Sequence, residues 1–466
     1  MNKTRNIILS LTAIVLCSAL WVSCSIGDGD FYEEPSGELW GDPADETDTT
    51  KTNNPVNPAD DTAVYMLPEP QYIQLTSTQK SISLGNNAFT LHFLKAVNDA
   101  DQTGKSFIYS PLSIAYLLSM VDNAAEGQTR QEIERTLGFN LGSLDDANEY
   151  YKMLIEKLPQ SDPNVQLSIA NAIFVNKGYT LKPQFQQDMQ TYYKALAESL
   201  DFSLPATLGH INGWCNEQSH GMIPTILEQV DPAAVSYLLN AVYFKGGWTA
   251  KFDPKKTKAE TFTCEDGSTR EVPLMHQNVV AAYFKVDKYS ALKFSYGSGL
   301  WNMTIMLPGE GKTTDDIIDR LASIGFLEGG PTFCHTMDDP VFEGYEIDLK
   351  LPRFDTESDT DELKGKLIDV LQGMGIQKVF DPGRAEVPNL CERANLFIGM
   401  MRQKAAVKVN EDGAEASAVT AGGIYTTGGG PSEYPKATFH ANRPFVYAIQ
   451  EASSGIILFV GKYTGE

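Results

Sequence analysis

Residues 405–430, AAVKVNEDGAEASAVTAGGIYTTGGG, set the tightest limit on how this chain folds. Val407 and Val409 alternate with Lys408 and Asn410, the period-two pattern of a half-buried strand. Glu411, Asp412 and Gly413 then read as a turn. Beyond it the alternation resumes in an unusual form. Ala414, Ala416, Ala418 and Thr420 share one face, and Glu415, Ser417 and Val419 share the other. A core strand ordinarily buries large β-branched or aromatic residues. A face of alanines suits a strand that slides into a narrow, already packed sheet. The run ends at three glycines, residues 428–430, which hold regular structure only at a cost in entropy. Taken alone, the stretch also reads as a strand followed by a flexible Gly/Ala surface loop.

The N-terminus carries an address. Lys3 and Arg5 precede an apolar run over residues 7–22, the layout of an export signal rather than of a core helix. Residues 20–24, LWVSC, resemble a bacterial lipobox, which implies removal of residues 1–23 and lipidation of Cys24. Trp21 departs from the usual leucine, and a plain secretory signal is the alternative. Residues 25–64 hold eleven acidic residues against one lysine, Lys51, among many Gly, Pro, Thr and Asn. Such composition cannot offset the entropy of ordering. Residues 24–78 are therefore expected to be an acidic disordered tether, with a reach of about 40 Å. Acidic residues soon after Cys24 (Asp28, Asp30, Glu33, Glu34) resemble surface-export signals of some Gram-negative lipoproteins. The expected location is the outer membrane, facing outward.

The net charge of −23 argues against nucleic acid as a partner, because such binding rests on Lys and Arg neutralising phosphates. Polyanionic glycans are disfavoured for the same reason. Beyond Cys17 and Cys24 the cysteines are Cys215, Cys264, Cys334 and Cys391. Four cysteines allow three pairings and the spacing selects none. Free buried thiols are the default in a domain of this size. No CxxC pair suggests a metal, and no cofactor is implied.

Along residues 79–466, helical spacing of Phe89, Phe93 and Val97 predicts a helix over 86–98. Residues 107–109 read as a short strand, and Ser110 as the cap of a helix with Pro111 in its first turn. Thr129 and Glu132 form a capping-box pattern for a helix ending at Gly138. A polar helix is expected over 144–158 and an amphipathic one over 183–196. A third, over 211–227, turns near Gly221 and Pro224. Residues 167–175 read as a strand. Residues 236–248, SYLLNAVYFKGGW, form a near-continuous apolar run that suits a strand buried on both faces, with Asn240 inside it. Residues 345–354 alternate as a strand ending near Arg353, and 361–374 read as a helix closed by Gly375. Residues 439–463 hold two apolar strands around an Ala-Ser-Ser-Gly turn.

Motifs for enzyme chemistry fail. There is no GxSxG, no HExxH and no GxGxxG opening a helix. Gly309–Thr313 is a fragment of a phosphate loop without its first glycine and reads as a turn. Cys334 and His335 are adjacent in sequence, which is not the geometry of a catalytic pair. The six histidines are scattered singly.

These blocks together resemble the serpins, over nearly all of residues 84–463. The resemblance implies a mixed α/β fold with a large, mostly antiparallel central sheet, further sheets, about eight or nine helices and an exposed reactive loop. It implies a monomer that is a substrate-like inhibitor of serine or cysteine endopeptidases rather than an enzyme. Serpins are themselves a standard example of strand addition and stored strain, so that mechanism comes with the resemblance. A target protease attacks the loop, forms an acyl-enzyme, and is dragged away as the freed hinge enters the sheet.

By the same resemblance Gly413 is the hinge glycine, and Ala414 leads the inserting segment that continues through Glu415, Ala416, Ser417, Ala418, Val419 and Thr420. Glu411 pairs with Arg353 at the sheet top, where Trp248 also lies. Ser110, Ser113, Asn240 and Gln403 form a polar cluster beneath the sheet. Gln403 replaces a histidine usual in animal serpins, and is expected to bridge Ser110 and Asn240 without titrating. Counting from Gly413 places the reactive bond at Thr427–Gly428. The loop is longer than in most serpins, so Tyr425 and Thr426 are alternatives. Thr427 suggests an elastase-like target, and Tyr425 a chymotrypsin- or papain-like one. The helix over 144–158 is acidic, so heparin is not expected as a partner. A non-inhibitory serpin that binds a ligand or scaffolds a partner is the second reading. The small residues of the hinge favour the first.

Overall fold

The computed structural model describes residues 69–139, 142–324, 342–392, 395–414 and 434–465. Its first half runs α1 (Ser77–Ala100), β1 (Phe107–Tyr109), α2 (Pro111–Ala124), α3 (Gly127–Leu137), α4 (Leu144–Lys157), β2 (Val165–Asn176), α5 (Pro183–Tyr193), β3 (Leu196–Leu200), α6 (Pro205–Gln218) and β4 (Ser236–Gly247). Next come β5 (Lys258–Thr263), β6 (Thr269–Lys285), β7 (Tyr289–Tyr296), β8 (Trp301–Pro308), α7 (Thr314–Ile324), β9 (Glu343–Pro352) and β10 (Phe354–Asp359). The chain closes with α8 (Lys366–Gly373), β11 (Lys404–Val409), β12 (Gly413–Ala414), β13 (Lys436–His440), β14 (Phe445–Glu451) and β15 (Ile457–Tyr463).

Two sheets carry these strands. The six-stranded one is ordered β10-β11-β12-β4-β2-β3 and is antiparallel except for the β2–β3 pair. The nine-stranded one is ordered β1-β15-β14-β8-β7-β6-β9-β13, with β5 on β6. Next to its β1 edge runs the hairpin of β14 and β15, every residue of which is buried. Helix α2 threads the main core: all fourteen of its residues are buried, with Ile114, Tyr116 and Met120 fully so. A second cluster, around Phe174, Ile211, Ile223, Tyr237 and Leu239, glues α6 to β2 and β4. The mixed α/β fold, with eight α-helices among the described residues, has the architecture expected from the sequence.

Four local expectations need correction. Thr129 does not cap α3. Glu126 holds that position without a side-chain bond, and Thr129 Oγ1 instead accepts from the backbone N–H of Glu386 at 3.0 Å. Glu132 turns outward to accept from the N–H groups of Gln377 and Lys378, both at 2.8 Å. Helix α6 stops at Gln218 rather than near 227. Beyond it, Asn212 Oδ1 accepts from Ile226 and Leu227, so these apolar residues are buried in a looped return. The helix expected over 361–374 begins only at Lys366, after Gly365 in the left-handed region at φ +79°. Finally, β4 is not buried on both faces. Tyr237, Leu239 and Ala241 are buried, but Leu238, Asn240 and Val242 are only half-buried.

The folded body reaches back before α1. Ile73 is buried and its N–H donates to Ser453 Oγ at 2.8 Å, while Gln71 N–H donates to Ser161 O at 2.7 Å. Cys24, nearly all of the acidic tether, Cys334, His335 and the loop residues Glu415–Thr420 and Tyr425–Gly428 lie outside the described residues. Cys215, Cys264 and Cys391 are buried free thiols.

Candidate functional site

The site is a slot in the six-stranded sheet. β4 and β11 are neighbours only through β12, a strand of two residues. Gly413 and Ala414 lie opposite Gly247 and Gly246 of β4, and Ala414 lies opposite Val409 of β11. Below that point β4, from Ser236 to Lys245, has a ladder partner only on its β2 side among the described residues. Ten residues of this strand edge, which face into the sheet rather than outward, thus have no ladder partner among the described residues.

A turn feeds β12 into the slot. Asn410 and Gly413 exchange backbone hydrogen bonds at 2.9 and 3.2 Å, and Asn410 Oδ1 accepts from Asp412 N–H at 2.9 Å. Gly413 has φ +147°, a conformation that favours glycine. A Cβ there would stand 2.1 Å from Gly246 O and 2.6 Å from Gly247 Cα. The paired glycines of β4 therefore let two backbones approach where side chains would hold them apart. Ala414, beside them, is 1% exposed.

Trp248 fastens the turn from above. Its backbone N–H donates to Asp412 O at 2.7 Å and its indole N–H to Asn410 O at 2.9 Å. The indole stacks on Tyr296, with ring centres 4.2 Å apart and planes 11° from parallel. Glu411 is nearly buried at 7% exposure. Its carboxylate accepts from Arg353 Nε at 3.2 Å and from Thr257 Oγ1 at 2.6 Å, and it also bonds the second guanidinium nitrogen. Burial pushes this carboxyl up, but the bonds from Arg353 and Thr257 outweigh burial and hold it below the usual glutamate range. Lys251 and Asp412, 3.1 Å apart, add a more exposed pair.

Beneath the slot, the first turn of α2 splits the polar cluster into two arms. On the β11 side Gln403 is buried against Ser110, accepting from its N–H at 3.1 Å and donating to its carbonyl at 2.7 Å. Ser110 Oγ continues to Leu458 O at 2.9 Å. On the β4 side Ser113 Oγ donates to Asn240 Oδ1, and Asn240 donates to Asn171 Oδ1 at 2.8 Å. The expected bridge from Gln403 to Asn240 does not form. With β12 only two residues long, β11 and β4 stand apart at this level, and each satisfies its amide from its own side of the helix. Sequence reasoning passed over Thr257, Tyr296, Asn171 and the Gly246–Gly247 pair. Only the glycine pair left a signal, two consecutive glycines inside an apolar run.

Below the slot lies a cavity of about 560 Å³, lined by the lower end of β4 (Ser236–Leu239), Leu117 and Val121 of α2, and residues 395–402 leading to β11. Phe397 and Met400, on its rim, are each 44% exposed. Among the described residues no cluster of three or more His, Cys, Asp or Glu is placed to hold a metal.

Residues 84–465 match the family model described as Serpin (serine protease inhibitor). The leukocyte elastase inhibitor of Sus scrofa is 31% identical, with 82% of this chain and 99% of that protein covered. An uncharacterized serpin-like protein of Thermococcus kodakarensis is 31% identical over 88% of this chain and 92% of its own. Among solved structures, the thermophilic serpin tengpin in its native state matches with a TM-score of 0.70 and 25% identity, covering 85% of this chain and 96% of that one. Human thyroxine-binding globulin complexed with its hormone matches at 0.68 and 25%, covering 83% and 98%. The family model spans the slot, the turn and both arms of the cluster, and the chain belongs to the serpin family.

Proposed function

We propose that the protein is a suicide inhibitor of serine, and also cysteine, endopeptidases, acting by cleavage of residues 415–433 and insertion of the hinge into the slot. The observation that carries this reading is the short β12 at the head of a β4 edge that is otherwise unpaired among the described residues. A strand continuing from Ala414 gains ladder bonds down that edge and covers Phe397 and Met400. Ten such bonds at roughly 1 kcal/mol each give on the order of 10 kcal/mol. That matches the whole stability of an ordinary domain, about 5–15 kcal/mol. Energy on this scale suffices to distort a trapped protease, whose deacylation depends on a preorganised oxyanion hole.

The reactive bond we assign is Thr427–Gly428, with Tyr425 and Thr426 as the alternatives. Elastase-like proteases are the favoured targets, followed by chymotrypsin- or papain-like ones. The pig relative is a leukocyte elastase inhibitor. Incubation with a protease panel, followed by mass spectrometry of the released C-terminal peptide, identifies bond and class together. An inhibitor yields an SDS-stable complex, and Ala416→Arg converts it to a substrate that is cut without complex formation. Cleavage near residue 427 with no gain in heat resistance would overturn the reading.

The second reading is a ligand carrier. The 560 Å³ apolar cavity supports it, and so does the likeness to a globulin whose structure holds thyroxine. It requires a chain that is cut by every protease tested and traps none. For location, the lipobox-like residues 20–24 and the acidic residues after them support a lipid anchor at Cys24 on the outer face of the outer membrane. Cys24→Ala then moves the protein to the soluble fraction, and protease shaving of intact cells removes the wild type.

A further inference from the structure

β13 is the strand on the far side of the loop, and three side chains fix it in place. His276 of β6 approaches Asp348 Oδ1 of β9 through Nε2 at 2.7 Å. His440, the last residue of β13, approaches Asp348 Oδ2 through Nε2 at 3.0 Å. One carboxylate thus cross-links three adjacent strands. The register agrees, since His276 and His440 both lie opposite Lys350, two residues along from Asp348 on the same face. The opposite face is sealed: Leu349 and Phe439 are buried. All three polar groups are partly exposed, with side chains open by 39%, 43% and 31% for His276, Asp348 and His440. Solvent protons therefore reach the cluster.

We propose that Asp348, His276 and His440 form a latch that positions β13, and that protonation of the histidines tightens it. This rests on the loop-insertion reading above. If the loop enters uncleaved, residues beyond Ala414 descend the β4 edge, about 33 Å for ten paired positions. The remaining ten or so residues to Tyr434 span at most about 35 Å in return. The intact loop is therefore taut when the slot is full, and it pulls on β13. Whatever holds β13 resists spontaneous loss of the poised state.

Histidine changes charge between pH 5 and 8. A neutral imidazole donates a hydrogen bond to the Asp348 carboxylate, and an imidazolium adds an opposite charge beside that carboxylate, which strengthens the bond. The grip on β13 therefore grows as pH falls from 8 towards 5. It fails only when Asp348 itself takes a proton. Burial raises that carboxyl, but the two histidine bonds outweigh burial and hold it below the ordinary aspartate range. The surrounding charges do not reverse this sign. Lys350, between the imidazoles by register, is bound by Glu260 of β5 at 2.5 Å. Lys436 of β13 faces Glu346 of β9 at 3.5 Å. Lys255 and Lys256 lie in the short 3-10 turn packed against β6.

Amide hydrogen exchange of residues 436–440 in the full-length protein reads the latch directly. After correction for intrinsic exchange, protection in the wild type should rise about fivefold from pH 8 to pH 6, the ratio that roughly 1 kcal/mol supports. His276→Gln with His440→Gln keeps a donor at each position but no titration, so protection should be flat with pH. Asp348→Asn should lose protection at both pH values. The same pH order should appear in the rate at which intact protein turns into a heat-resistant form that no longer traps protease. Equal slopes in the wild type and the double glutamine variant would overturn the latch, as would a flat wild type. Exchange does not require inhibition, so a protein that traps no protease but keeps the slope defeats the inhibitor reading alone.

Discussion

Arg353 and Glu411, 58 residues apart in sequence, meet through two guanidinium nitrogens on one carboxylate at the head of the slot. Arg353 sits between β9 and β10, and Glu411 on the turn that launches β12. The pair thus ties the nine-stranded sheet to the start of the inserting segment. Arg353 is half exposed, but Glu411 is nearly buried. Loss of the cation therefore matters mainly by stranding the anion.

Arg353→Ala should destabilise the native form by about 1–3 kcal/mol, towards the lower end because half of the guanidinium is in water. Arg353→Ala combined with Glu411→Gln should recover part of this, since no buried charge remains. The sign with pH follows from the lowered Glu411 carboxyl. Its contribution is full above the ordinary glutamate range, near pH 4.3, and disappears as pH falls through the lower folded value. Denaturant midpoints of the three proteins should diverge at pH 7 and draw together as pH falls below the ordinary glutamate range.

Gly413→Ala should expel β12 from its seat. A methyl group there meets Gly246 O at 2.1 Å, and the backbone cannot yield without breaking the ladder to Gly246 and Gly247. The left-handed conformation adds a cost of order 1–3 kcal/mol. With the first residues lifted out, insertion starts late and cleavage wins. More inhibitor molecules should be consumed per protease trapped, and titration of residual protease activity measures that ratio.

The strand ending at Val409 and the turn at 411–413 were legible because their pattern is local. The slot was not legible, because its walls come from residues 236–247 and 404–409, and only register places Gly246 opposite Ala414. Helix ends were misread where distant groups replaced local caps. Glu386 took Thr129, and residues 377 and 378 took Glu132. Histidines scattered singly in sequence gave no hint that His276 and His440 share Asp348. Strands β6, β9 and β13 come together only in the folded sheet.

The split polar cluster makes a prediction about energetic coupling. Gln403 bonds Ser110 and Asn240 bonds Ser113; the arms touch through the capping bond from Ser113 N–H to Ser110 Oγ at 3.4 Å, and Gln403 and Asn240 share no bond and no partner. Gln403→Ala and Asn240→Ala should each cost about 1–3 kcal/mol by leaving buried partners unpaired. Their combination should be additive to within about 0.5 kcal/mol. A direct Gln403–Asn240 bond would instead give a coupling above 1 kcal/mol in the double-mutant cycle.

Asp122, on α2, is fully buried with neither carboxylate oxygen hydrogen-bonded. Burial, aided by the nearby charge of Glu134 and opposed by Arg130, pushes its carboxyl up to about 8. An unfolded aspartate titrates near 3.9. Between these values the folded chain keeps a proton that the unfolded chain has released. Stability therefore falls as pH rises, at up to about 1.4 kcal/mol per unit. Asp122→Asn keeps the shape and removes the titration. It should raise the thermal midpoint at pH 8 more than at pH 5, flattening the alkaline side of the stability curve. Calorimetric scans of both proteins at matched scan rates test this. Parallel curves for the wild type and Asp122→Asn would mean that Asp122 meets solvent or a cation in the folded protein.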